Sequence, residues 1–251
     1  MQLLADPLTL ALALVAVALL GLAKGGFAGL GALATPLLAL TLPPVTAAAL
    51  LLPVLLVQDV VSVWSYRHSW ERWIVCWMLP GAALGVGLAT LMAALIPEST
   101  FLLVLGLLTL AFGFYRLWIE RGGRIVTASS SPGWVGSLFG VGLGFASQIA
   151  HAGGPPFQMW VAPRRLPQVV YSGTGSVLFA AVNWIKVPSY MALGSFTPDI
   201  LVAAALLAPL AVLATLAGVW LVRRIDTARF YTITYSLMIL LGLRLIWQGL
   251  V

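Results

Sequence analysis

The chain has 251 residues, of which 61% are hydrophobic and 8% charged, and its mean hydropathy is +1.06. A soluble domain carries about 25% charged residues, so this composition excludes a water-soluble globule and leaves a multi-spanning membrane protein. The formal net charge of +6 does not point to nucleic acid, because the basic residues sit in small groups between apolar runs, where topology signals lie.

Long apolar runs, rather than alternating ten-residue strands, predict helices and not a barrel. Eight segments follow in chain order: 7–41, 44–66, 73–96, 100–119, 133–162, 167–190, 199–222 and 228–250. Asp6 precedes the first run and no basic residue does, which argues against a cleaved signal peptide. The first segment is longer than a span and is broken at Lys24-Gly25-Gly26 and again near Gly29 to Gly31. The second carries Gln58 and Asp59. The lone cysteine, Cys76, rules out an internal disulfide or redox pair. Glu120 to Pro132 is the longest polar stretch and is too short to fold alone. The fifth segment is broken at QIAHAGGPPF (148–157), and the sixth carries a small polar stripe, Ser172 to Ser176, and then NWIK (183–186).

The two broken segments suggest a duplication. Pro80 and Pro209, Phe101 and Phe230, Gly113 and Gly242, and Trp118 and Trp247 are each 129 residues apart. Asp59 and Asn183, and Tyr66 and Tyr190, are 124 apart. Each half, 1–125 and 126–251, thus reads as a broken segment followed by three ordinary spans. The basic groups are Arg67/Arg72, Arg116/Arg121/Arg124, Arg164/Arg165 and Arg223/Arg224/Arg229. All of them fall on the cytoplasmic side only if each broken segment is a hairpin of two short helices. The expected fold is therefore an all-α integral membrane protein. It has two inverted repeats, each a broken re-entrant hairpin plus three transmembrane helices, with both termini outside the cytoplasm. Broken helices in matched positions are a transporter architecture with the site near the midplane.

Proline suits the first turn of a helix, so a second short helix is expected to start at Gly153-Gly154-Pro155, with its positive end facing an anion. The first break is expected to do the same. Gly25, Gly26, Gly153 and Gly154 would then offer backbone donors; the plain alternative is close helix packing. A charge at membrane depth usually faces a cavity or a partner. Lys24 and Lys186 suit an anion, although Lys186 is near enough to a span end to snorkel. Asp59 is a proton carrier or one half of a structural ion pair. His151 is the second proton candidate or a hydrogen-bonded structural histidine. Asn183 and Gln148 can orient a substrate. Ser147 and His151, four apart, also allow a serine–histidine dyad and an intramembrane hydrolase. No cofactor is expected, and two distant histidines with one cysteine cannot build a metal site.

The motifs GGFAGLGALATP (25–36) and GFASQIAHAGGPP (144–156), in four-segment halves of this length, resemble the sulfite exporter TauE/SafE family of bacterial membrane proteins. The resemblance covers essentially the whole chain. It implies a non-enzymatic inner-membrane transporter that moves sulfite, sulfonates and related sulfur anions, mostly outward. Its expected partners are that anion, the bilayer and protons, with no nucleic acid and no oligomeric state read from sequence. A channel or uniporter uses the same residues and stays open as an alternative.

Overall fold

The computed structural model describes residues 2–26, 30–93, 95, 97–120, 122, 131–161, 164, 166–221, 239–240, 242–243 and 245–250. Nine α-helices, α1 to α9, are assigned among them and there is no strand. The expected eighth segment is described only from 239, and Gly29, Arg121, Arg124, Arg165, Arg223, Arg224, Arg229 and Arg244 lie outside the described residues.

Helix α1 (Pro7–Gly25) is capped by Asp6, whose carboxylate accepts from the Thr9 amide and hydroxyl at 2.8 and 2.7 Å. Those two bonds hold the Asp6 carboxyl below its usual range. A 3₁₀ turn (Leu30–Leu33) and the five-residue α2 (Ala34–Leu38) follow the first break. Then come α3 (Pro44–Tyr66), α4 (Arg72–Ala93) and α5 (Glu98–Glu120). In the second half α6 (Gly133–Ala150) stops at the second break, and α7 (Gly154–Val161) starts after it. The remaining helices are α8 (Gln168–Ala192) and α9 (Pro198–Leu221).

The two breaks fall at the glycine-rich points, but the arms are unequal. Helix α1 has 19 residues and α6 has 18, about 27–28 Å each at 1.5 Å per residue. Two short arms were expected. No proline lies in the interior of either first arm, so each propagates to the length of a ~30 Å hydrocarbon core. Helices α1, α3, α4, α6 and α9 are long and apolar enough to cross a membrane. Large apolar side chains such as Leu84, Leu91, Leu206 and Leu213 face outward, as a lipid-facing surface requires and a water-facing one does not.

Lipid does not drive helices together by hydrophobicity, so close association relies on small residues. Helix α6 packs along α4, and α1 along α9. A Cβ on Gly144 would lie 1.9 Å from the Ala82 carbonyl oxygen, and one on Gly85 2.1 Å from that of Val141. At the other pair, a Cβ on Gly25 would lie 2.2 Å from the Gly218 carbonyl carbon. Helices α3 and α8 pack on each other between these pairs. Each broken segment therefore lies along a late helix of the opposite half.

Gly144→Ala is expected to lower the melting temperature of the detergent-solubilised protein sharply, because backbone must move by more than 1 Å to admit the methyl. Gly87→Ala, on the neighbouring helix with nothing within 4 Å, is the control and should melt at or slightly above the parent. Equal melting of both variants would contradict the packing account.

Candidate functional site

Both breaks end a helix inside the protein, and a helix end leaves carbonyls unsatisfied. In the first break the Tyr66 hydroxyl, from α3, donates to Gly25 O at 2.6 Å. In the second, the Tyr190 hydroxyl, from α8, donates to Gln148 O at 3.0 Å. Thr35 of α2 donates to Ala150 O at 2.7 Å and so ties one break to the other. His151 ends α6 in the left-handed region, φ 53°, which histidine tolerates better than branched residues do. The amides of His151 and Ala152 turn back to Ser147 O and Ala146 O.

The charged side chains gather at the same depth. Lys24, in the last turn of α1, forms an ion pair with Asp59 of α3. The second Asp59 oxygen accepts from Asn183 Nδ2 at 2.6 Å. Helices α3 and α8 thus meet through the residues 124 apart. Lys186 is fully buried; its ammonium donates to Ser147 O and Oγ, both at 3.2 Å, and to His151 Nδ1 at 2.7 Å. It does not snorkel. The opposite nitrogen, His151 Nε2, lies 2.8 Å from Ala48 O. A carbonyl only accepts and an ammonium only donates, so with charged Lys186 the ring is neutral with its proton on Nε2.

A cavity of about 100 Å³, partly open, is lined from both breaks and from α3 and α8. Its lining includes Lys24, Ser147, His151 and Asn183. Phe157 and Phe179 form an aromatic wall, their ring centres 5.5 Å apart, and Lys24 Nζ sits 5.6 Å from the Phe179 centre.

The expected site residues separate into two groups. Lys24, Gly26, His151, Gly154 and Asn183 line the cavity. Asp59 and Lys186 stand one layer behind, each bonded to a lining residue. Gly25 is pressed on α9, and Gly153 is buried against Leu143 and Phe179. Gln148 turns away to Ser189 Oγ, 2.7 Å distant. Among the described residues of the first break, Gly25 and Gly26 do not present amide donors as expected. Gly25 and Gly26 close the end of α1, and the Gly26 amide bonds to Ala23 O. The second break keeps few: Pro155 and Pro156 have no N–H, and the Phe157 amide reaches Gly153 O. The buried ends are therefore chiefly carbonyl ends, which attract cations, and Lys24 and Lys186 are placed accordingly.

Sequence reasoning missed Phe157, Phe179 and Gln158 as lining residues. Gln158 is buried at the cavity wall with neither amide atom bonded among the described residues. A polar side chain one helical turn beyond Gly154 on an otherwise apolar helix was its only signal. The stripe at Ser172 to Ser176 divides: Ser172, Gly175 and Ser176 face the cavity, while Gly173 packs on the Ser69 carbonyl. No hydrogen bond joins the Ser147 hydroxyl to the His151 ring, because both ring nitrogens face other partners.

A family model described as Sulfite exporter TauE/SafE matches residues 13–245, a range that contains both breaks and every residue lining the cavity. No curated protein and no solved structure matches the chain.

Breaking a buried ion pair from one side strands the other charge and costs about 3–5 kcal/mol. Lys24→Met and Asp59→Asn should each lower the melting temperature, and the double variant should recover much of the loss. Additive losses in the double variant would show that the two charges are not coupled.

Proposed function

This chain belongs to the sulfite exporter TauE/SafE family, and from that premise we propose that it exports small sulfur-containing anions, sulfite or organosulfonates, by alternating access. Membership makes it a multi-pass membrane protein of exporter type; substrate, site and mechanism are our reading. The observation that carries this reading is the shared cavity with its charge balance. With Lys186 protonated, Lys24 and Lys186 stand against Asp59 alone, which leaves one uncompensated positive charge beside a space lined from both breaks. An unpaired charge in a low-dielectric interior is costly, and an anion bound in that space offsets it.

In this reading Lys24 contacts the anion directly, Asn183 orients it, and the Gly154 backbone permits its close approach. Asp59 holds the Lys24 ammonium at the cavity. The two halves are inverted repeats with re-entrant hairpins. The mirrored packing of α1 on α9 and α6 on α4, and the matched bonds of Tyr66 and Tyr190, support that relation. Rocking of one repeat against the other exposes the cavity to each side in turn. As a secondary proposal, transport is coupled to protons through Asp59 or His151, the alternative being a passive uniporter that uses the same residues.

The test is uptake of radiolabelled sulfite by proteoliposomes, with sulfonates and sulfate as competitors. The parent should show saturable uptake that competitors block. Lys24→Met/Asp59→Asn, which keeps the pair neutral, should lose at least about thirtyfold in kcat/KM, the size of a lost charge-assisted contact. No saturable uptake by folded protein would overturn the assignment. If Asp59→Asn leaves the pH dependence of transport intact, Asp59 is not the proton carrier.

A further inference from the structure

Lys186 is the charge that the cavity cannot touch. It is fully buried, it does not line the cavity, and its ammonium has three hydrogens. All three have acceptors: Ser147 O, Ser147 Oγ and His151 Nδ1. Apart from its through-space field, the Lys186 charge can act on a ligand by hydrogen bonding only through the two neighbours that do line the cavity, Ser147 and His151. His151 cannot relay it by donation, since its Nε2 hydrogen is directed at Ala48 O, away from Lys186. Ser147 can. Its hydroxyl oxygen accepts from Lys186, and among the described residues its own hydrogen has no acceptor. A hydroxyl whose oxygen is bonded to a cation is a stronger donor than a free one.

We infer that Ser147 is a direct anion-binding residue, its hydroxyl donating to the bound oxyanion, and that Lys186 is the positioning residue that orients and polarises it. The inference rests on the anion-transport reading and adds to it a second contact. Ser147 lies in the last turn of α6 as Lys24 lies in the last turn of α1, 123 residues apart. The first half thus offers the anion an ammonium, and the second a hydroxyl backed by an ammonium from the next helix. The two donors approach the cavity from the two breaks, which suits a compact oxyanion with oxygens on opposite sides.

The experiment is binding to the purified protein in detergent, read as the rise in melting temperature with added sulfite or methanesulfonate. Transport is not needed. Ser147→Ala should weaken both anions about tenfold or more, the loss of a hydrogen bond to a charged group. Ser147→Thr keeps the hydroxyl and should stay within about threefold of the parent. Lys186→Met leaves no stranded charge, because it removes the cation itself. Added to Ser147→Ala it should cost little further affinity, because the two act through one contact. Melting temperatures without ligand report folding separately. Parent-like binding by Ser147→Ala would overturn the inference and leave the transporter reading standing. Binding by Ser147→Thr as weak as that of Ser147→Ala would also overturn it, by showing that volume and not the hydroxyl matters. Failure of both anions to stabilise the folded parent would overturn both readings.

Discussion

Two helices stop in the interior of an apolar protein, and the carbonyls at their ends must be bonded there, since lipid offers no donor. Much of the central arrangement answers that demand. Tyr66 and Tyr190 reach across from α3 and α8, Thr35 reaches from α2, and Lys186 bonds Ser147 O. These bonds fix the depth of α3 against α1 and of α8 against α6. Once depth is fixed, the glycines can meet backbone at van der Waals distance, as Gly144 does at Ala82 and Gly25 at Gly218. A shift of one residue at Gly144 would bring Leu143 or Phe145 to the same point.

The same helix ends explain where the charges lie. The carbonyl end of a helix is the negative end of its dipole, and both lysines sit beside one. Asp59 neutralises Lys24 and is itself held by Asn183. Lys186 has only neutral partners. In the proposed reading, a protonated Lys186 adds one positive charge next to the cavity, and one set of groups serves both structure and binding. The halves solve the problem differently. In the first the lysine is on the broken segment itself, and in the second it stands on α8 and bonds Ser147 of the broken segment.

The aromatic wall sets the other character of the cavity. Phe157 and Phe179 meet edge to face, and Phe157 also packs against Tyr171 at 5.2 Å. Each comes from a different helix, so the wall joins α7 to α8 and holds the second break in place. Gly153 and Gly175 lie against these rings.

Much was legible in the sequence because it depends on local rules. Low charge and long apolar runs determine an all-helical membrane protein, for a helix alone satisfies its own backbone in lipid. Glycine with proline determines where α6 stops and α7 starts. The rarity of buried charge singles out Lys24, Asp59 and Lys186. What the sequence could not determine was direction and partnership. Gly25-Gly26 reads equally well as the start of one helix or the end of another, and only the fold made it an end whose amides are already bonded. Gln148 and Ser147 are adjacent and both polar, yet helical geometry turns one to Ser189 and the other to the cavity. Phe157 and Phe179 look like ordinary core residues until two helices bring them together. Tertiary structure decided these points because side-chain roles follow from which face meets which neighbour across more than a hundred residues, and local sequence carries no record of that distance.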